Sequence, residues 1–358
     1  MITLLELPGI EINLLLLVFV GLGAGVLSRF AGVGGAFVVT PALIILGLPA
    51  NLAVGTSLAW VVGNSLIAVI RHGKLGNVDM KLGSVLLVAS ASGVEVGVRL
   101  LNRVKGLGLA DEVVLTIAIF LLLAVGGYTL SESLTRKRQL DRMFAHGEKL
   151  PAALRTTPLS HKLQSINLPP MVNFAKSQVT ISLWIVLAIG FFIGTLSGLI
   201  GVGGGFIMVP SLVYVIGLSS FMAVGTDLFQ IVFSASYGAL RHTMSGNVII
   251  LVALIMVAAA AFGVQFGVLA TRHVRGVSVR LILAISILLF ALGSILKLVY
   301  VLSDERTAWL ETGSLIVTFA TLGLTVLTIL VLFLLGRRCQ TGQNIPGWCE
   351  SLVTRGEE

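Results

Sequence analysis

Two stretches of this chain decide how it is built. Gly25–Leu46 reads GVLSRFAGVGGAFVVTPALIIL, and Gly194–Val215 reads GTLSGLIGVGGGFIMVPSLVYV. Aligned at an offset of 169, they share 10 identities in 22 pairs. The likeness continues at an offset of 170. GLPANLAVGTSL (Gly47–Leu58) matches GLSSFMAVGTDL (Gly217–Leu228), Arg71-His72 matches Arg241-His242, and Gly76-Asn77-Val78 matches Gly246-Asn247-Val248, with 13 identities in 32 pairs. The identities fall on Gly, Ser, Thr, Pro, Arg and His, which a shared apolar bias does not produce. The chain reads as a duplicated unit.

The surrounding composition says where that unit lives. Of 358 residues, 56% are hydrophobic and 11% charged, against about 25% charged in a soluble domain. Residues 30–70 and 177–226 contain no Asp, Glu, Lys, Arg or His over 41 and 50 positions. A helix needs about 20 apolar residues to cross a bilayer. A soluble enzyme, a nucleic-acid binder and a disordered chain are excluded, and the net charge of +8 is read as membrane loops rather than a nucleic-acid partner. The expected fold is an all-α polytopic membrane protein whose partner is the lipid bilayer. Each repeat offers five helical elements, about 12–30, 34–46, 50–70, 80–101 and 111–131, then 178–199, 204–216, 220–241, 247–270 and 278–300. The expected organisation is an N-terminal repeat (1–131), a basic linker (132–177) ending in a short amphipathic helix before Lys176, a C-terminal repeat (178–301), an extra helix (302–336) and a tail (337–358).

The second element of each repeat is short, and whether it crosses decides the symmetry. If it crosses, the halves are inverted and Lys/Arg divide 17 against 6 between the two sides; if it only re-enters, the halves are parallel and the division is 14 against 9. The positive-inside rule prefers inverted halves, with the N-terminus outside and the linker and C-terminus in the cytoplasm.

The candidate site is the pair of glycine clusters, Gly32-Val33-Gly34-Gly35 and Gly201-Val202-Gly203-Gly204-Gly205. Each interrupts apolar sequence and is followed by Phe-x-x-x-Pro. Unwound backbone at membrane depth is tolerated only inside protein or along a cavity, and a helix beginning there presents N–H groups and a positive dipole end to an anion. Close packing through small residues is the alternative. Ser28, Ser197, Thr56 and Thr226 are candidate hydroxyl donors to the same anion, or bond to helix carbonyls instead. Charged residues at depth are few. Arg29 stands where the second repeat has Gly198; Asp227, whose counterpart is Ser57, is a candidate proton acceptor or cation ligand; Glu95, whose counterpart is Gln265, is a weaker one. Arg71 and Arg241 are candidates for the two mouths of a path, or for interfacial anchors. No Cys/His cluster points to a metal, and no cofactor is expected beyond a coupling H+ or Na+.

The doubled Gly-x-Gly-Gly word, the following Phe-x-x-x-Pro and the Ala-Val-Gly-Thr word resemble the TauE/SafE sulfite exporter family, over roughly 14–131 and 178–300. The resemblance implies an ion-coupled carrier of the cytoplasmic (inner) membrane that exports sulfite, sulfoacetate or related sulfur-containing or organic anions. The linker, the eleventh helix, Arg29 and Trp60 depart from the pattern. The expected function is therefore secondary transport of a small anionic substrate by alternating access at a midplane site between the repeats. An uncoupled anion channel, a membrane-embedded enzyme and a scaffold are the competing readings; the five scattered histidines form no catalytic or ligand spacing, so the chain is expected not to be an enzyme.

Overall fold

A computed structural model describes residues 4–7, 10–31, 35–74, 76–146, 168–271, 274, 276–303 and 307–340. Eleven α-helices are described: α1 (Leu14–Ala31), α2 (Ala36–Ile45), α3 (Ala50–Lys74), α4 (Met80–Gly106), α5 (Ala110–His146), α6 (Leu183–Ile200), α7 (Gly205–Ser211), α8 (Ser220–Met244), α9 (Ile250–Thr271), α10 (Gly276–Leu302) and α11 (Ala308–Gln340). A π-helical turn, Leu212–Ile216, extends α7. Seven of the helices, α3 to α6 and α9 to α11, are long and apolar enough to cross a membrane. The chain is a multi-pass helical membrane protein.

Both repeats begin with a feature that hydropathy did not reveal. A two-stranded antiparallel hairpin, β1 (Leu4–Leu7) with β2 (Ile10–Asn13), precedes α1, and a second, β3 (Met171–Phe174) with β4 (Val179–Ser182), precedes α6. The expected amphipathic helix before Lys176 is this second hairpin instead. Met171–Phe174 pairs in antiparallel register with Val179–Ser182, so its backbone bonds run between strands rather than along a helix. The fifth element runs on to His146 rather than stopping near 131; the linker beyond it, 147–167, lies outside the described residues. The short second elements are short as expected: α2 has 10 residues, about 15 Å of rise.

The chain divides into two compact units that cut across the repeats. The first holds residues 1–48, 111–148 and 254–358, thus α1, α2, α5, most of α9, α10 and α11. Within it all ten residues of α2 are buried. A β-carbon on Gly21 or Gly25 of α1 would overlap the backbone of Met256 or Ala260 of α9, and one on Gly263 or Gly267 of α9 would overlap Leu22 or Val26. The two helices therefore touch backbone to backbone, the contact that small residues four apart allow. Ser286 of α10 and Thr325 of α11 share a hydrogen bond of 2.8 Å.

The second unit holds 49–110 and 149–253: α3, α4, β3–β4, α6, α7, α8 and the first turn of α9. The same glycine device joins α4 to α6, where Gly93 and Gly97 face Phe191 and Thr195, and Gly194 and Gly198 face Ser90 and Val94. Residue numbers rise together along both helices, so α4 and α6 run parallel. Phe174 of the hairpin is fully buried among Leu82, Leu86, Val186, Met208 and Leu212.

Helices α3 and α8 run antiparallel. The start of α3 meets the end of α8, where Asn51 lies 2.9 Å from Asn247 and Thr56 Oγ1 accepts from Ile249 N–H at 3.0 Å. The start of α8 meets the segment after α3, where Thr226 Oγ1 accepts from Asp79 N–H at 3.0 Å. Gly55 and Gly225 complete the exchange, since a β-carbon on either would overlap the carbonyl of Asn247 or Asn77. The Ala-Val-Gly-Thr word of each repeat thus fits the backbone that opens the fourth helix of the other.

Candidate functional site

The second glycine cluster can be followed atom by atom. Helix α6 ends at Gly201, whose N–H bonds Ser197 O at 2.8 Å. Gly201, Gly203 and Gly204 take φ of 72°, 69° and 87°, the left-handed region that a side chain disfavours. Gly204 then caps α7, its carbonyl accepting from Ile207 and Met208 N–H at 2.9 and 2.7 Å. Three helices hold this break. Ser57 of α3 donates to Gly201 O at 2.9 Å, and Val61 of α3 sits 3.0 Å from where a β-carbon on Gly203 would stand. From α4, Val94 abuts Gly198. From α8, His242 Nε2 lies 2.9 Å from Gly198 O. A carbonyl only accepts, so Nε2 carries a proton.

Beside the break lies a buried polar chain. Asp227 is 3% exposed, and its Oδ1 accepts from Gln230 Nε2 at 3.0 Å. Gln230 Oε1 in turn accepts from Ser90 Oγ at 2.8 Å and Ser234 Oγ at 3.2 Å. Asp227, Gln230 and Ser234 lie on α8 at spacings of three and four, one face of the helix, and Ser90 reaches them from α4. The amide fixes one carboxylate oxygen and is itself fixed from two sides, so the acid is oriented within an apolar helical pack.

The remaining expected residues fall into different settings. Ser197 is buried in α6. Glu95 and Arg241, expected as a depth charge and a path mouth, are partners. Arg241 Nε and Nη2 reach the two Glu95 oxygens at 2.6 and 2.8 Å, Tyr237 Oη donates at 2.7 Å, and Arg99 Nε at 2.8 Å. In the first unit, Ser28 is buried in α1, and Arg29 stands in the last turn of that helix, where a cation complements the dipole; its Cβ lies 3.0 Å from a β-carbon position on Gly267. Gly35 caps α2 at φ 73°. Gly32, Gly34 and the Arg71 side chain lie outside the described residues. Among the described residues, no three His, Cys, Asp or Glu side chains converge at metal-ligand spacing.

Two residues that the sequence reading passed over prove central. Gln230 was legible as a polar position four residues from Thr226 and Ser234 on an otherwise charge-poor helix. Asp79 was not: it caps α4 by accepting from Leu82 N–H at 3.1 Å, takes Ser177 N–H and Oγ on Oδ2 at 3.2 and 2.6 Å, and gives its own N–H to Thr226. It joins the hairpin turn, α4 and α8, and no local pattern announces that.

The profile of the family described as Sulfite exporter TauE/SafE matches residues 17–294, spanning both glycine clusters and the buried polar chain. The chain belongs to the TauE/SafE sulfite exporter family. Among curated proteins it is 29% identical over 286 residues to "Probable membrane transporter protein YunE" of Bacillus subtilis, covering 77% of this chain and 95% of that one. It is 23% identical over 242 residues to "Probable membrane transporter protein YjnA" of the same organism, covering 65% and 84%. No solved structure matches. A TauE/SafE protein of this kind is a membrane transporter, and its substrate is a small molecule.

Proposed function

We propose that this TauE/SafE chain is a secondary transporter, working as an exporter, of a small anion such as sulfite, an organosulfonate or a related carboxylate. It alternates access around a midplane site where elements of the two repeats meet in the second unit. One observation carries the reading: the irregular backbone Gly201–Gly205 of the second repeat is clamped by Ser57 and Val61 of the first. Non-helical backbone at membrane depth is stable only inside protein or along a cavity. The Ser57 hydroxyl and the glycine backbone meet there among Val54, Val61 and Ile231, and a small oxyanion can be held by dipoles without a fixed cation. Asp227 is the acidic residue at this depth and would take the coupling H+ or Na+. The antiparallel pairing of α3 with α8 supports inverted halves, and the Lys/Arg distribution and the family favour an inner-membrane protein whose N-terminus is outside and whose C-terminus is cytoplasmic.

The hydroxyl oxygens of Thr56 and Thr226 already accept backbone N–H groups, so any role of theirs toward substrate would run through the hydroxyl proton. Substituting Gly204→Leu, at φ 87° and with Ile193 3.3 Å from the β-carbon position, tests the site. Sulfite counterflow in proteoliposomes should vanish while insertion and elution profile persist. Wild-type flux in that variant removes the glycine site from the mechanism.

A further inference from the structure

Trp60 and Gln230 occupy equivalent positions of the two repeats, 170 residues apart, and their polar atoms are used in opposite ways. The Gln230 amide is spent on Asp227, Ser90 and Ser234. Trp60 is 0% exposed, and its indole Nε1–H has no acceptor among the described residues. A buried donor without an acceptor is unfavourable. Indole N–H donates only, so what it lacks is an acceptor oxygen rather than a cation. Its place on α3 is next to the glycine break: Ser57, one turn earlier, holds Gly201 O, and the adjoining Val61 packs on Gly203.

We propose that Trp60 Nε1–H donates to an oxygen of the transported anion and sets this chain's preference for oxyanions. The first half then supplies a donor that has no acceptor among the described residues, where the second supplies an amide that positions Asp227. The inference rests on the transporter reading above, and two arms separate the two. In proteoliposomes, Trp60→Phe keeps the aromatic bulk and removes the donor. It should raise KM for sulfite about tenfold or more, the loss expected for a hydrogen bond to a charged group, with a smaller change in kcat. Separately, a chain keeping Trp60 alone (Trp184, Trp309 and Trp348 to Phe) should show an emission shift on sulfite addition that saturates, and the same titration with chloride should not.

Unchanged KM in Trp60→Phe overturns the inference while leaving transport standing. Absence of saturable sulfite uptake by the wild-type protein overturns the transporter reading; the emission arm then decides Trp60 by itself, and emission unmoved by sulfite overturns the inference. The same arm decides if Trp60→Phe does not fold.

Discussion

Replacing Thr226 and Thr56 by Val separates a substrate role from the exchanged capping bonds. Valine keeps the shape and removes the oxygen that accepts Asp79 N–H at 3.0 Å and Ile249 N–H at 3.0 Å. Asp79 is 2% exposed, so its N–H has little access to water, and leaving such a donor unpaired costs about 1–3 kcal/mol. Ile249 is only partly buried, and water can replace part of the lost bond, so Thr56→Val should cost about 1 kcal/mol, the lower end of that range. The two bonds share no partner, so the double variant should lose about the sum, a sizeable part of a typical stability of about 5–15 kcal/mol. Unfolding in mixed detergent and SDS gives the free energies; amide exchange at residues 79 and 249 locates them. The reasoning fails if both variants keep wild-type stability and exchange. It also fails if sulfite KM rises with stability unchanged, because the hydroxyls would then serve the substrate rather than the fold.

Three further outcomes follow from the packing. Gly194→Leu must push a branched side chain into the backbone of Ser90 and should abolish recovery of folded protein; recovery at wild-type levels would show that the parallel contact of α4 and α6 can open. Glu95→Gln leaves Arg241 and Arg99 without their shared carboxylate, so the thermal midpoint should fall while sulfite KM stays put. A KM shift in that variant would place Arg241 on the substrate path. Asp79→Ala removes the acceptor for Ser177 and Leu82 N–H, and protease cleavage near 175–178 should accelerate; unchanged cleavage would show the hairpin to be held without Asp79.

How much of this was legible in the sequence depends on the range of the interaction. The membrane class follows from charge-free runs, and the repeat from Gly, Pro and Thr words, because both are local patterns. The short α2 was readable from the same apolar run, bounded by Gly35 and Gly47. The hairpins were not: strands of 4 residues are too brief for a periodicity to stand out beside long apolar helices. The pairing of Glu95 with Arg241 joins residues 146 apart, and neither neighbourhood names the other, so Glu95 read as a lone charge at depth and Arg241 as a path mouth. Thr56 and Thr226 were read as donors to an anion or to helix carbonyls, whereas their oxygens accept backbone N–H groups of the opposite repeat, which sequence spacing does not display. Glycines four apart at 93 and 97, and at 190, 194 and 198, were a visible signal of close helix approach that the larger glycine clusters overshadowed.

The central claim, a coupled anion transporter using the glycine break and Asp227, meets its most direct test in uphill uptake. Labelled sulfite is presented to proteoliposomes holding wild-type protein or Asp227→Asn, under an imposed H+ or Na+ gradient. The account predicts that the wild-type protein accumulates sulfite above equilibrium and that Asp227→Asn exchanges it without accumulating. Equilibration without accumulation by the wild-type protein, or undiminished accumulation by Asp227→Asn, would contradict it.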